Sequence, residues 1–246
     1  MRVPRIFSRQ ALAAGQSIEL DSFASGHICR VLRMKAGRPL ILFNGNGGEY
    51  SAALKNADPK KALVEVLDFD PVERESNLKI HLGLALSRGD RFDWAIQKSV
   101  ELGVAEITPL ICERSNNISD AKRLTRKMDH WKKLMVSACE QSGRTRLPQI
   151  YEPQNSRDWS VQEQNAQAYI FVPGKPSISA HLADIKDSAT EISLAIGPEG
   201  GFTLQEEEVF LEQGFTAVSL GPRVLRTETA PLVAISLFQS FLGDIS

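Results

Sequence analysis

The stretch "LAIGPEGGFTLQE", Leu194 to Glu206, places an apolar segment, a glycine-rich segment and a helix-start signal in direct succession. Its first residues end "EISLAI", a mostly apolar run of the kind found in strands that are buried on both faces. Thr203 and Glu206 have the spacing of a capping box, which predicts the first turn of a helix. The stretch therefore predicts a strand, a loop and a helix in sequence, the repeating unit of an α/β fold.

Similar units occur on either side of this stretch. The runs "KIHLGLAL", "VAEITPLIC", "AYIFV" and "FTAVSL" have the apolar composition of buried strands. Helices are predicted for "RFDWAIQKSVEL", which Gly103 ends, for the amphipathic run that Gly143 ends, and for "TETAPLVAISLFQSFL". This alternation predicts a mostly parallel sheet with helices on both faces.

The first 71 residues have a different pattern, in which short strands predominate. "RPLILF" and "EYSAAL" flank "NGNGG", which predicts a hairpin, and "KKALVEVLDFD" predicts a further strand. "SGHICRVLRM", Ser25 to Met34, predicts one short helix that carries Arg30 and Arg33 on one face. "PVERESN" is charged and lacks periodicity, so it predicts a linker. We therefore expect a small β domain over residues 1–71 and an α/β domain over residues 72–246.

Charge is distributed unevenly along the chain. The whole chain has a formal net charge of -1. Residues 1–40 hold seven Lys or Arg residues against Glu19 and Asp21, a local charge of +5, so the remainder carries -6. This asymmetry indicates either an N-terminal module that faces an anion or a solvated basic surface.

Cysteine spacing and hydropathy exclude several classes of protein. Cys29, Cys112 and Cys139 are isolated, so neither a structural zinc site nor a disulfide framework is expected, which fits a reducing cytoplasm. Pro4 and Arg5 interrupt any apolar start, so we expect no signal peptide. The run "APLVAISLFQSFL" falls short of the roughly 20 apolar residues of a membrane span, so no membrane partner is expected.

Two consecutive loops between strands and helices carry Gly-Pro and charge: "GPEGG" and "LGPRVLR". In a parallel sheet both follow the carboxyl ends of strands, where open α/β sheets bind ligands. The chain has no P-loop, no G-x-S-x-G elbow and no zinc-deaminase signature, and "GNGG" fails the dinucleotide pattern. The loops indicate either a ligand held mainly by backbone and apolar contacts, or two tight turns with helix caps.

The segments "AIGPEGGFTLQEEE", "SLGPRVLRTETA", "SRGDRFDWAIQKSVELGV", "CEQSGRTRLP" and "HICRVLRMKAG" together resemble the RsmE family. These are ribosomal RNA uridine N3-methyltransferases of the SPOUT superfamily, and the resemblance spans nearly the whole chain. It implies a trefoil-knotted α/β domain, an N-terminal PUA-like β-barrel that binds RNA, and a homodimer with its site near the interface. It also implies the cofactor S-adenosyl-L-methionine and, as partner, the 16S ribosomal RNA of the small subunit.

The same resemblance implies the residues of the site. The two loops are expected to line the cofactor pocket largely through their backbone, with three further residues in apolar contact with adenine. The pocket residues are Gly197, Gly201, Leu220, Gly221, Leu225 and Arg226, and the adenine contacts are Val172, Ala195 and Ile196.

Uridine N3 carries a proton at neutral pH, so the enzyme must position it, help to remove the proton and stabilise charge on O2 and O4. Arg223 is the predicted donor to that charge, because arginine stays protonated and cannot act as the base; the alternative is a surface salt bridge. Glu199 is predicted to accept the N3 proton, to contact the sulfonium or to be a helix-start carboxylate, and Glu228 to have this last role. The predicted RNA-phosphate contacts are Arg2, Arg5, Arg9, Arg30 and Arg33.

Three other functions stay open at this stage. A knotted methyltransferase could act on transfer RNA instead, and an RNA-binding protein of ribosome assembly could have lost its activity. A nicotinamide-dependent enzyme is disfavoured by the missing glycine fingerprint.

Overall fold

The structure is a computed structural model that describes residues 3–115, 120–160, 167–182 and 190–245. The chain forms two compact units. The first contains Met1–Glu75 and Val136–Leu147, and the second contains Ser76–Met135 and Pro148–Ser246. The sequence predicts an N-terminal domain that ends at residue 71. The structure adds the segment Val136–Leu147 to the first unit, which the sequence did not predict. The boundary at residue 71 and the roles of the two domains stay predictions.

The first unit contains a five-stranded sheet in the order β1-β3-β4-β5-β2. Its strands are β1 (Arg5–Phe7), β2 (Ser17–Glu19), β3 (Pro39–Phe43), β4 (Glu49–Asn56) and β5 (Leu63–Asp70). β1 and β3 are parallel, whereas β3, β4, β5 and β2 pair antiparallel. The predicted hairpin across "NGNGG" is confirmed by the pairing of β3 with β4, and closure of the sheet into a barrel stays a prediction.

The predicted helix over Ser25 to Met34 is wrong in its bounds and its winding. Helix α1 (Ser22–Gly26) begins earlier, because the Asp21 side chain accepts hydrogen bonds from two backbone N–H groups of its first turn. A π-helical turn, His27–Val31, follows α1. Arg33 then adopts a left-handed backbone conformation with φ 51°. Helical geometry has ended before Arg33, so Arg30 and Arg33 do not share a helical face.

A buried set of ion pairs holds the first unit together. The guanidinium of Arg5 forms an ion pair with Glu49 and donates from Nη2 to the backbone oxygen of Arg144, 2.8 Å away. Arg74 Nη1 lies 3.1 Å from the same Glu49 carboxylate. Arg144 in turn donates from Nε to Glu75, at 2.9 Å. These bonds explain why the segment that contains Arg144 belongs to the first unit although it is remote in sequence.

The second unit is built on a seven-stranded sheet whose described pairings are all parallel. The order is β12-β10-β11-β6-β7-β8, and β9 also pairs with β7. The strands are β6 (Lys79–Ala85), β7 (Glu106–Ile111), β8 (Gln149–Ile150), β9 (Gln154–Asn155), β10 (Gln167–Phe171), β11 (Glu191–Ile196) and β12 (Thr216–Val218). The α/β class and the parallel sheet are confirmed, and the trefoil knot stays a prediction.

After β5, the described ranges contain five α-helices. They are α2 (Arg91–Glu101), α3 (Ala121–Ser142), α4 (Ile178–Leu182), α5 (Leu204–Glu212) and α6 (Thr229–Leu242). The glycines after α2 and α3 have φ of 87° and 93°, which confirms Gly103 and Gly143 as helix terminators. Within the described ranges, no helix has both the length and the apolarity that crossing a bilayer requires.

A half-buried histidine lies on β6 of the second unit. His81 Nε2 is 2.8 Å from the Thr108 hydroxyl, and Nδ1 is 3.5 Å from the Glu106 carboxylate. Its ring lies nearly perpendicular to that of Trp159, with ring centroids 5.1 Å apart. Burial lowers the pKa of the imidazole, and Glu106 opposes this shift in part.

This histidine makes the stability of the second unit depend on pH. Because the folded-state pKa lies below the ordinary value of about 6.5, protons bind the unfolded chain more tightly. We therefore expect the free energy of unfolding to fall as pH decreases from about 7 through the folded-state pKa. Urea titrations should show a smaller fall over this range for His81→Gln than for the unchanged protein, and equal falls would contradict the prediction.

Candidate active site

Three strands bring their carboxyl ends to one edge of the parallel sheet. β12, β10 and β11 are neighbours in the sheet, so the loops that follow them lie side by side. Val172, just after β10, donates its backbone N–H to the Val218 oxygen at 2.8 Å. Ile178 donates to the Ser219 oxygen at 3.0 Å. The sheet thus places the two Gly-Pro loops and the Pro-Gly loop after β10 around a common space.

These loops enclose a cavity of 370 Å³, here called the loop cavity. Its volume lies within the roughly 300–1,000 Å³ of small-molecule sites. Eight of the nine residues predicted to hold a cofactor line it. They are Val172, Ile196, Gly197, Gly201, Leu220, Gly221, Leu225 and Arg226.

Ala195 is the exception and needs correction. Its side chain is fully buried in an apolar cluster with Trp159 and Phe210, and it does not line the loop cavity. Successive side chains on a strand point to opposite faces, so Ala195 and Ile196 cannot both reach the same cavity. Ile196 lines the loop cavity and Ala195 supports the sheet from the core.

The backbone conformation at Gly221 explains why the second loop has a glycine at this position. Its φ is 104°, a conformation that residues with a Cβ rarely adopt, and space around its missing side chain is open. The constraint is therefore conformational rather than steric. A glycine here lets the chain turn between Leu220 and Leu225 so that both residues line the cavity.

The "GPEGG" loop is held at its middle and at its far end. At its far end Thr203 caps α5, and Glu206 completes the capping box from a position that is 1% exposed. Burial alone would raise the pKa of Glu206, but hydrogen bonds from the Thr203 backbone and the Ser156 hydroxyl lower it overall. At its middle the Gly200 oxygen accepts from Arg114 Nη1 at 2.8 Å. The loop is thus supported by an arginine hydrogen bond and by the cap of the helix that follows it.

Glu199 lies on this loop and lines the loop cavity. Its Oε1 accepts from Arg91 Nη1 at 3.1 Å and lies 3.4 Å from the backbone nitrogen of Arg88. It precedes the N-cap residue Thr203 by four positions, so it lies outside the first turn of α5. The interpretation of Glu199 as a helix-start carboxylate of α5 is therefore wrong, whereas Glu228 does occupy the N-cap position of α6.

Arg223 is exposed and lines the loop cavity. Across the described ranges, the ion pairs found do not include Arg223. The neighbouring Arg226 lies 3.9 Å from Glu228, with a side chain that is largely exposed. The structure therefore gives no support to a surface salt bridge as the reason for Arg223.

Sequence reasoning missed several residues that line the loop cavity. Arg91 enters from the start of α2, which follows the strand next to β11 in the sheet. The signal was present in "SRGDR", a turn that also follows the carboxyl end of a parallel strand. Residues beside the predicted positions complete the lining. They are Phe171, Pro173, Pro198, Ser219, Val224, Thr227 and Ala230.

The predicted phosphate-binding arginines of the first unit divide into two groups. Arg9, Arg30 and Arg33 are exposed, and Arg33 lines a separate cavity of 580 Å³ together with two other basic residues, Lys35 and Arg38. Arg5 needs correction as a phosphate contact, because its buried guanidinium is already paired with Glu49. Arg2 lies outside the described residues. In the part of the chain that the structure describes, no group of three metal-ligating side chains occurs.

The chain matches two family models. The model described as an RNA methyltransferase domain covers residues 74–239, and that of an RNA methyltransferase PUA domain covers residues 24–67. The ribosomal RNA small subunit methyltransferase E of Buchnera aphidicola (Schizaphis graminum) is 34% identical over 100% of this chain and 99% of its own length. The chain belongs to the ribosomal RNA small subunit methyltransferase E family.

Further proteins are similar to this chain in sequence and in structure. The Bacillus subtilis relative is 34% identical over 93% of this chain and 92% of its own. The crystal structure of the Neisseria gonorrhoeae methyltransferase E bound to S-adenosyl methionine has a TM-score of 0.90, with 36% identity and full coverage of both chains. A Legionella pneumophila protein in complex with bound SAM has a TM-score of 0.93, 38% identity, and covers 99% of this chain and 100% of its own.

Proposed function

We propose that this protein transfers a methyl group from S-adenosyl-L-methionine to N3 of a uridine in 16S ribosomal RNA of the small subunit. Membership of the methyltransferase E family supports the reaction class, and the relative from Neisseria gonorrhoeae supports the cofactor. The observation that carries the proposal is the loop cavity, which has Arg223 and Glu199 among its lining residues.

The residues of the loop cavity fit this cofactor. Val172, Ile196 and Leu225 offer apolar surface for an adenine ring, and the glycines of both loops let a ligand approach the backbone. Small-molecule sites typically combine such apolar walls with a few polar groups that fix orientation. When bound, the cofactor would supply an electrophilic methyl group on a sulfonium.

The protein must make uridine N3 a nucleophile. Removal of the N3 proton leaves negative charge that spreads onto O2 and O4, and Arg223, which lines the loop cavity, is the proposed donor of hydrogen bonds to that charge. A preorganised donor of this kind contributes about 3–4 kcal/mol to transition-state stabilisation. Positioning of N3 behind the methyl carbon contributes up to about 7–11 kcal/mol.

Glu199 is the proposed acceptor of the N3 proton. Its carboxylate lines the loop cavity, and Arg91 holds it in place. We expect Glu199→Gln to lower kcat by about 100-fold or more, as loss of a positioned base does, and to leave cofactor affinity unchanged. Calorimetry that shows weakened cofactor binding instead would assign Glu199 to the sulfonium.

The N-terminal domain, residues 1–71, is the proposed PUA-like RNA-binding module, and residues 72–246 are the proposed catalytic domain. The match of residues 24–67 to a PUA-domain model supports this division. The exposed Arg9, Arg30 and Arg33 are the proposed phosphate contacts in the first unit.

Salt dependence tests these arginines. Each phosphate contact to single-stranded RNA contributes about 0.7 to the slope of log affinity against log salt concentration. We expect the double change Arg30→Ala and Arg33→Ala to flatten that slope by about 1.4 in binding to 16S ribosomal RNA. Arg5→Ala is the matched control, because this arginine is buried and paired, so it should weaken folding and leave the slope unaltered. An unchanged slope in the double variant would contradict the proposal that Arg30 and Arg33 contact RNA phosphates.

We also propose a homodimer with the site near its interface and action in the cytoplasm. Most of the α6 sequence is apolar, and the side chain of Phe241 on this helix is exposed. An exposed apolar side chain is stabilised by burial against a partner subunit, which supports the dimer. Sedimentation velocity at several protein concentrations tests the assembly state.

A methylation assay on three RNA substrates separates the proposal from its rivals. Methyl transfer to small ribosomal subunits or 16S ribosomal RNA, and none to transfer RNA, supports the proposal. The reverse preference would identify a transfer-RNA enzyme. Titration with S-adenosyl-L-methionine by calorimetry decides against a non-catalytic assembly protein if binding is observed.

A further inference from the structure

A second cavity of the second unit adjoins the loop cavity. It has a volume of 1030 Å³ and is here called the arginine cavity. Three residues line both cavities: Arg91, Glu199 and Arg226. The arginine cavity therefore borders the proposed methyl-transfer site through these three shared side chains.

The lining of the arginine cavity has a small excess of positive charge, a net +1 from four arginines and three carboxylates. These residues are Arg88, Arg91, Arg114, Arg226, Asp90, Glu199 and Glu228. Arg91 and Arg226 are matched by Glu199 and Glu228, at 3.1 Å and 3.9 Å. Arg114 donates from Nη1 to a neutral backbone oxygen, that of Gly200, so this bond does not compensate its charge. Its remaining N–H groups are those of a planar fork suited to a phosphate.

The same cavity contains an exposed tryptophan. Trp94, on the first turns of α2, is 43% exposed, whereas Trp131 and Trp159 are 1% and 2% exposed. An aromatic ring beside arginines is the combination by which proteins bind unpaired nucleotides, the ring stacking on a base and the cations holding the backbone.

We propose that the arginine cavity binds the unpaired nucleotides next to the target uridine, with a base stacked on Trp94 and a phosphate held by Arg114. This inference rests on the proposed function and deepens it. Enzymes that act on a base take it out of the stack, either from a single strand or by flipping it out of a duplex. The shared lining of the two cavities places such a strand beside the proposed methyl-transfer site.

Tryptophan fluorescence provides a readout that does not depend on activity. Because the other two tryptophans are buried, quenching by acrylamide reports mainly on Trp94. We expect titration of the full chain with a short unpaired oligouridylate to protect Trp94 from acrylamide. The contrary result is that Trp94 is already shielded from acrylamide in the protein without RNA and becomes accessible only on dilution. This result would show that a second copy of the chain covers Trp94, and it would overturn the proposal.

Variants separate stacking from charge. Trp94→Ala should weaken oligouridylate binding by about tenfold or more, and Trp94→Phe should restore most of it. Arg114→Ala should reduce the slope of log affinity against log salt concentration by about 0.7, the contribution of one phosphate contact. The control is Leu204→Ala, an exposed residue of α5 outside both cavities, which should bind as the unchanged protein does.

Calorimetry with S-adenosyl-L-methionine distinguishes failure of this inference from failure of the proposed function. If Trp94→Ala binds both oligouridylate and cofactor as tightly as the unchanged protein, the inference fails and the proposed function stands. If the unchanged protein binds neither, both fail. Weakened oligouridylate binding with normal cofactor affinity supports the inference.

Discussion

Arg223→Ala is expected to lower kcat for methylation of 16S ribosomal RNA by about 100- to 1,000-fold, with cofactor affinity nearly unchanged. In the proposed mechanism Arg223 interacts with charge that develops on the uracil oxygens only in the transition state, so its loss should raise the barrier by about 3–4 kcal/mol. Single-turnover methylation gives the rate, and calorimetry with S-adenosyl-L-methionine gives the affinity.

Two further variants make the test of Arg223 specific. Arg223→Lys keeps the charge and loses the planar fork, so it should recover part of the rate. Arg123→Ala removes an exposed arginine of α3 that lines neither cavity, and it should methylate normally. Normal turnover of Arg223→Ala at saturating cofactor, together with weakened cofactor binding, would show that Arg223 belongs to the cofactor wall alone.

Glu49→Ala is expected to reduce the free energy of unfolding of the first unit by about 3–5 kcal/mol. Glu49 is buried and pairs with both Arg5 and Arg74, so its removal leaves a buried guanidinium without its counter-charge. Urea unfolding followed by circular dichroism measures the loss, and an early separate transition is expected if this unit unfolds first.

An exposed ion pair of the same sheet is the matched control for this prediction. Lys55 and Glu65 are 2.7 Å apart, with side chains that are 50% and 36% exposed. Glu65→Ala should cost less than about 1 kcal/mol, because water screens an exposed pair. Equal costs for Glu49→Ala and Glu65→Ala would contradict the assignment of the buried pair as a main support of this unit.

The sequence predicts the local elements of the second unit well, because its signals are local. The capping box at Thr203, the glycines that end α2 and α3 and the apolar strands all agree with the structure. The parallel arrangement also follows from strand composition, and it predicts that the two Gly-Pro loops meet. Eight predicted cofactor residues line one cavity for this reason.

The sequence predictions fail where contacts between residues distant in sequence, or local backbone geometry, determine the position of a side chain. Arg5 is one of several arginines in a basic segment, and only the fold reveals its pairing with Glu49 and its bond to Arg144, which is 139 positions away. Strand alternation turns Ala195 away from a cavity that its neighbour lines. The left-handed backbone of Arg33 follows a π-helical turn that 3.6-residue periodicity does not predict.

The most direct test of the proposed function identifies the methylated atom. The purified protein would be incubated with small ribosomal subunits and S-adenosyl-L-methionine whose methyl group carries deuterium, and the RNA would then be digested to nucleosides for mass spectrometry against synthetic standards. We predict that the label appears in N3-methyluridine and that the Arg223→Ala protein yields almost none at equal time. Label in another nucleoside, or none from a protein that binds the cofactor, would contradict the proposed function.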